Sequence, residues 1–163
     1  TNQMDLVMGN RFGLKYTASD SQEHTPIIIH RAPLGTHERF VAFLIEHYGG
    51  AFPSWLAPVQ VRFIPVASAF NEYAFGLNQN LYDSLIRSEV DDSHDSFSKK
   101  IRNAAVDKIP NILIVGEKEV LNQCVTWQRY GSKTGESVSF ENFSSLFHDE
   151  IKLRLDWRDN DKN

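Results

Sequence analysis

The spacing of apolar residues predicts that strands alternate with helices along most of the chain. Short β-branched runs, such as Asn111–Val115, are typical of buried strands. Apolar residues that recur every three or four positions, as between residues 70 and 85, are typical of amphipathic helices. The pattern predicts strands over 59–66, near 89–90, over 111–115 and over 124–130, and helices over 70–85, from Phe97 to before Pro110, and from a Ser139 cap onward. This alternation predicts an α/β fold, with helices packed on a largely parallel sheet.

The first fifty residues follow a less regular pattern. It predicts extended segments over 4–7 and 11–16, a turn at Gly9-Asn10 between them, and a polar loop over 18–24. The run Pro26–His30 contains three consecutive isoleucines and predicts a buried strand. A broadly buried helix is expected from about Thr36 to the Gly49-Gly50 pair.

A connector is expected where Pro53 and Pro58 flank Trp55. We place a domain boundary there, which divides the chain into residues 1–55 and 56–163. The charged tail from Arg154 is expected to be frayed.

Composition excludes several classes of protein. The 163 residues are 41% hydrophobic and 12% aromatic with a net charge of −4, which is unlike a disordered tail. No apolar run is long enough for a membrane helix, and no signal peptide is visible. Cys124 is the only cysteine, so we expect a reducing, cytoplasmic setting. The slight acidity disfavours a whole-surface nucleic-acid binder but permits a local basic face.

Candidate chemistry is concentrated between His30 and Phe40. A histidine that ends a strand is more often a satisfied core residue than a metal ligand. Arg39 is expected in the first turn of a helix, where the helix dipole disfavours cations. This conflict indicates an anionic partner, which could be Glu38, a buried carboxylate or a bound phosphate.

Four runs of the sequence stand out: Thr1-x-Gln3-x-Asp5, the run from Pro26 to Phe40 (PIIIHRAPLGTHERF), Leu44 to Tyr48 (LIEHY), and Phe52 to Val61 (FPSWLAPVQV). Together these runs resemble threonyl-tRNA synthetase. They are similar to the end of its class II catalytic domain, with motif 3, and to the crossing into its anticodon-binding domain. The runs at 100–102, 108–110 and 115–120 are similar to that second domain. The resemblance implies a mixed, largely parallel five-stranded sheet preceded by the last strands and motif 3 helix of an antiparallel catalytic sheet.

The resemblance also implies roles for residues of the first part. His30 corresponds to one of three zinc ligands, and the zinc binds the amino and hydroxyl groups of threonine. Thr1, Gln3 and Thr36 correspond to substrate-binding positions. Arg39 corresponds to the catalytic arginine of motif 3, which binds ATP, supplied with Mg²⁺. The other two zinc ligands, motif 1 and motif 2 lie upstream in the family. We therefore expect a C-terminal portion, inactive alone, of an enzyme that forms a homodimer through its missing catalytic core.

The second part is expected to bind the anticodon of threonine tRNA, with no membrane or DNA partner. Lys100 and Arg102, with Lys99 and Lys108, predict a local basic face; an ordinary solvated helix is the alternative. Glu119 corresponds to a position that contacts an anticodon base. Gln128 stands where an anticodon-reading arginine is usual, and Arg129 is next to it, on the opposite face of a strand.

The sequence thus predicts part of a threonine–tRNA ligase, which activates threonine with ATP and transfers it to threonine tRNA. The alternative is a free-standing, non-catalytic anticodon-binding paralogue or accessory tRNA-binding protein. A paralogue without catalysis has no reason to keep His30, Arg39, Thr1 and Gln3 together. An unrelated α/β small-molecule enzyme is disfavoured because Ala67-Ser-Ala69 replaces a glycine-rich turn.

Overall fold

The computed structural model describes residues 2–158, which fall into two compact units divided between His47 and Tyr48. In the first unit, β1 (Asn2–Asp5) pairs antiparallel with β4 (Ile28–Arg31). Its other elements are α1 (Met8–Arg11), the hairpin strands β2 (Tyr16–Thr17) and β3 (Glu23–His24), and α2 (His37–Tyr48).

The chain turns helical after β1, where the sequence predicted a turn and a second strand. The Asp5 carboxylate accepts hydrogen bonds from the backbone N–H groups of Val7 and Met8, both at 2.9 Å, and α1 follows. Gly9 is buried against Pro26, whose carbonyl oxygen would lie 2.3 Å from a Cβ at that position. The predicted strand over 11–16 is therefore wrong, and the predicted loop over 18–24 contains the turn and the second strand, β3, of the β2–β3 hairpin.

The apolar residues of β4 and α2 are more exposed than predicted. Ile29 is 65% exposed and Phe43 is 58% exposed. Strand β4 pairs only with β1 among the described residues, and α2 has no fully buried residue there. Apolar side chains are buried only where a second layer covers them, and the described part of the first unit places none on these faces.

The second unit is built on a five-stranded sheet in the order β6-β5-β7-β8-β9. The strands are β5 (Val61–Pro65), β6 (Ser88–Val90), β7 (Asn111–Val115), β8 (Cys124–Arg129) and β9 (Glu136–Ser139). Strand β5 pairs parallel with β6 and with β7, whereas β8 pairs antiparallel with β7 and β9. The predicted α/β class with a mixed five-stranded sheet is confirmed, although only two of the four strand pairings are parallel, fewer than in the largely parallel sheet that was predicted. Strand β9 is an edge strand that the sequence pattern did not predict.

Helices cover both faces of this sheet. The helices of the second unit are α3 (Asn71–Asp83), α4 (Phe97–Val106), α5 (Glu117–Asn122) and α6 (Phe140–Leu153). On one face, Phe63 and Leu113 pack with Leu81 of α3 and Phe143 of α6. On the other face, the alternate residues of the same strands and their neighbours, including Ile64 and Ile112, pack with Ala104 of α4. Strand β7 is therefore buried from both sides, which explains its unbroken apolar run.

Polar contacts hold the start of α6 and the segment that follows the helix. The Ser139 hydroxyl accepts a hydrogen bond from the Asn142 N–H at 3.3 Å, so the predicted N-cap is confirmed. Beyond the helix, Arg158 donates to the Ala51 carbonyl at 2.9 Å, and its guanidinium lies 5.3 Å from the centre of the Tyr48 ring. The prediction of a tail frayed from Arg154 is thus wrong for residues up to 158.

A buried polar network joins the segment before β5 to β7, to β8 and to the residue that precedes β6. Asn111, fully buried at the start of β7, donates to Ser54 Oγ at 2.9 Å and to the Gln60 carbonyl at 3.0 Å. Its side-chain oxygen accepts from Trp127 Nε1 at 3.0 Å. The Gln60 side chain, also buried, donates to the Ser54 carbonyl and accepts from the Arg87 N–H. Each of these polar groups thereby replaces the hydrogen bonds with water that it lost on burial.

We expect Asn111→Ala to lower the free energy of unfolding of the second unit by about 3 kcal/mol, because it leaves buried partners unsatisfied. Urea denaturation followed by tryptophan fluorescence measures the change. Asn122→Ala, on the exposed end of α5, is the control and should change the free energy by less than about 0.5 kcal/mol. Equal midpoints for the two variants would contradict a role for the network.

The contacts of Asp5 also predict a titration. The N–H groups of Met8 and Val7, and then the His30 side chain, hold the pKa of the Asp5 carboxyl below its ordinary value of 3.8. Its stabilising effect is therefore present above that value and is lost as the pH falls through the lowered pKa. Carbon-detected NMR should show that His30→Ala keeps most of the lowering, since the backbone donors contribute most. A return of the pKa to 3.8 in that variant would contradict this order of causes.

Candidate nucleic-acid interface

Glu119 lies in the first turn of α5, directly after the central strand β7, and is partly exposed. One carboxylate oxygen, Oε2, accepts a hydrogen bond from the Gly116 N–H at 3.0 Å. The other oxygen, Oε1, accepts from the Thr126 hydroxyl of β8 at 2.8 Å. The carboxylate is therefore held at two points, one on the backbone of its own turn and one on the neighbouring strand.

The local sequence explains why the chain places a carboxylate here. Gly116 ends β7 and precedes α5, and a glutamate three residues later reaches back to its N–H, as in a capping box. Glycine keeps this approach open: a Cβ on Gly116 would lie 3.1 Å from Glu119 Oε2 and 3.3 Å from a Val66 methyl. The Gly-x-x-Glu spacing was visible in the sequence, but the role of Thr126 was not.

When it is ionised, a carboxylate in this position accepts hydrogen bonds and donates none. Each oxygen offers about two lone-pair directions, and each already accepts one hydrogen bond from the protein. The remaining lone pairs suit the amino and imino groups on the edge of an unstacked base. The negative charge of the carboxylate repels phosphate, so Glu119 can contribute base specificity but not electrostatic affinity for a nucleic-acid backbone.

Gln128 lies on the same face of β8 as Thr126, since residues two apart in a strand share a face. Thr126 is opposite Ile114 of β7, and Gln128 is opposite Ile112. The Gln128 amide nitrogen donates to the Ser132 carbonyl at 2.7 Å. This contact ties the side chain to the turn that follows β8.

Arg129 lies on the opposite face of β8, so the structure does not bring it together with Glu119. Its guanidinium donates to Glu150 at 2.6 Å and lies 4.3 Å from the centre of the Trp127 ring. It borders a cavity of about 610 Å³ that also contacts Trp157. Glu150 is buried beside it, so Arg129 forms an ion pair within the protein.

The predicted basic cluster of α4 is partly neutralised within the protein. Lys100 is only 5% exposed, and its ammonium group donates to the Asp91 carbonyl at 2.7 Å. Lys99 pairs with Asp95 at 2.8 Å, and Lys108 donates to the Gly49 carbonyl. Arg102 is exposed. As placed, Lys100 anchors the acidic loop at residues 91–95 instead of facing a nucleic acid.

The candidate residues of the first unit lie near the β1–β4 pair and the start of α2. Gln3 is opposite His30 in the antiparallel pair, and both are exposed. The Thr36 hydroxyl accepts from the Arg39 N–H at 3.3 Å and so caps α2. The Arg39 side chain is exposed. Thr1 lies outside the described residues.

The described residues do not form a zinc site on their own. Zinc in proteins takes three or four protein ligands. Between residues 2 and 158, no three His, Cys, Asp or Glu side chains lie close enough together to hold a metal ion. His30 Nε2 instead lies 3.1 Å from Asp5 Oδ2.

The same described range contains no helix with the length and apolar character needed to cross a membrane.

Comparison with known proteins identifies the second unit. Residues 60–150 match the family model described as "Anticodon binding domain". Threonine–tRNA ligase of Geobacillus kaustophilus is 44% identical over 153 residues, which are 93% of this chain and 24% of the relative. Threonine–tRNA ligase of Streptococcus agalactiae is 49% identical over 144 residues, 88% of this chain and 22% of the relative. The chain thus spans about a quarter of the length of these curated relatives.

Comparison of the fold with solved structures agrees with the comparison of sequences. The crystal structure of the RNA binding domain of threonyl-tRNA synthetase from Cryptosporidium parvum superimposes with a TM-score of 0.77 at 29% identity, covering 91% of this chain and 38% of that one. Prolyl-tRNA synthetase from the same organism shares the fold, with a TM-score of 0.65 at 14% identity over 93% of this chain and 33% of that one. The chain therefore belongs to the anticodon-binding-domain family, and relatives that carry the name threonine–tRNA ligase confirm the predicted resemblance.

Proposed function

We propose that the chain is the anticodon-reading part of a threonine–tRNA ligase. The complete protein would activate threonine with ATP and transfer it to threonine tRNA. The family match over residues 60–150 and the named relatives support this proposal. This chain would contribute recognition of the tRNA, and the synthetic chemistry would require the rest of the enzyme.

The arrangement around Glu119 carries the proposal. A carboxylate held by the Gly116 N–H and the Thr126 hydroxyl can accept further hydrogen bonds from a base. Every threonine codon begins with A-C, so the middle anticodon base of a threonine tRNA is guanine. Guanine presents two adjacent donors, N1–H and the N2 amino group, and these suit the two oxygens of one carboxylate.

We expect Glu119→Gln to weaken recognition of the middle base, because an amide offers one acceptor oxygen instead of two. Filter binding should compare threonine tRNA transcripts with guanine or inosine at that position, since inosine lacks the N2 amino group. The unchanged chain should prefer guanine by about tenfold, and Glu119→Gln should lose most of that preference.

Glu117→Gln is the matched control, since it removes the same charge from an exposed position in the same helix turn. It should keep the preference for guanine. Added salt should weaken the binding of both transcripts through the phosphate contacts and leave their ratio nearly unchanged. Equal binding of an anticodon-scrambled transcript would refute specific reading.

We also propose that the first unit completes the catalytic site of the whole enzyme. His30 would supply one of three zinc ligands, Arg39 would bind ATP, and Thr1, Gln3 and Thr36 would line the threonine pocket. The exposure of His30 and Arg39 is compatible with partners from the rest of that enzyme. Dimerisation would likewise depend on that remaining part.

His30→Ala in the complete enzyme should lower the zinc content and the activation of threonine together, because the metal loses a ligand. Atomic absorption measures the zinc, and threonine-dependent pyrophosphate exchange measures activation. His37→Ala, an exposed histidine at the start of α2, should leave the zinc content unchanged. A full complement of zinc in His30→Ala would rule out the ligand role.

A further inference from the structure

The side chain of Thr126 in β8 contacts two other segments, one through its hydroxyl and one through its methyl group. Its hydroxyl donates to Glu119 Oε1 at 2.8 Å. Its methyl group lies against Gly135, the residue before β9. A Cβ on Gly135 would come within 2.6 Å of Thr126 Cγ2 and 3.3 Å of the Trp127 carbonyl oxygen. A side chain at position 135 would therefore displace the threonine methyl.

The direction of the Thr126 hydrogen bond follows from the chemistry of its partner. An ionised carboxylate cannot donate, so the single hydroxyl proton of Thr126 must point at Glu119. The Gly116 N–H holds the other oxygen of the same carboxylate. With both oxygens bound, rotation of the carboxylate plane would break at least one of the two hydrogen bonds.

We propose that Thr126 is a positioning residue for base recognition, and that Gly135 leaves room for the threonine rotamer that holds Glu119. This inference deepens the proposed function and rests on it, because it presupposes that Glu119 reads a base. The hydroxyl orients the carboxylate before RNA binds, so less ordering is needed when the base arrives. The space at Gly135 lets the methyl group sit in the rotamer that directs the hydroxyl at Glu119.

A purely structural role for Thr126 makes a different prediction. Thr126 also contributes to the β8–β9 pairing, where it is opposite Ser137, and a β-branched residue stabilises a strand. Valine keeps that shape without the hydroxyl, whereas serine keeps the hydroxyl without the second methyl. If shape alone matters, Thr126→Val should behave like the unchanged chain.

The experiment measures the guanine-over-inosine preference of the chain with the same two transcripts, together with its melting temperature. Thr126→Val should lower an approximately tenfold preference to about threefold, whereas Thr126→Ser should keep most of it. Adding Thr126→Val to Glu119→Gln should cause no further loss of preference, since the carboxylate to be positioned is gone.

Gly135→Ala provides a second, independent variant. It should lower the preference as Thr126→Val does, because the added methyl displaces the threonine. Combining it with Thr126→Ser removes the 2.6 Å contact, leaves the milder 3.3 Å approach to the Trp127 carbonyl oxygen, and should restore most of the preference. Rescue in this double variant distinguishes positioning from general damage to the strand pair, and the melting temperature confirms that each variant is folded.

Two outcomes would overturn the inference. The first is an unchanged preference in Thr126→Val while Glu119→Gln loses it, in which case Glu119 reads the base without help from Thr126. The second is a preference in the Gly135→Ala and Thr126→Ser double variant that remains as low as in Gly135→Ala alone. An unchanged preference in Glu119→Gln itself would instead refute the proposed function, so the two failures are distinguishable.

Discussion

The second unit depends on the hydrogen bonds of the buried Asn111 side-chain amide. Its two donor hydrogens bind Ser54 and the Gln60 carbonyl, and its oxygen accepts from Trp127. It therefore joins the segment before β5 to the central strand and to β8 in a fully buried position. An amide in apolar surroundings tolerates little misalignment, because every lost partner leaves a buried polar group unsatisfied. This requirement helps to set the register between β7 and β8.

That register decides which residues of β8 face which side. Trp127 turns toward α6, where its ring meets Phe143 edge to face, and Arg129 on the same side binds Glu150. Thr126 lies on the other side, where it reaches Glu119. One strand thus stabilises the core with one set of alternating residues and orients the candidate recognition carboxylate with the other. A one-residue slip would exchange these roles and would bury the wrong side chains.

Several basic side chains of this unit are paired within the protein. Lys99 and Lys100 interact with the loop at residues 91–95, and Arg129 is balanced by Glu150. The chain as a whole has a net charge of −4. A carboxylate that reads a base adds specificity while it repels the phosphate backbone. The negative charge of Glu119 therefore fits the proposed role in base selectivity and not a role in binding phosphate.

The sequence by itself determined the features that depend on neighbouring residues. The β-branched run at 111–115 predicted the central strand, the helical spacing at 70–85 predicted α3, and Ser139 predicted a cap, since strand propensity, periodicity and capping are local. Its motifs also indicated the family. Only the tertiary structure decided that β9 forms an edge of the sheet, that Lys100 is buried, that most of β4 is exposed, and that Thr126 meets Glu119. Each of these depends on chain segments that pack or pair across the fold, and no periodicity within one segment encodes such a contact.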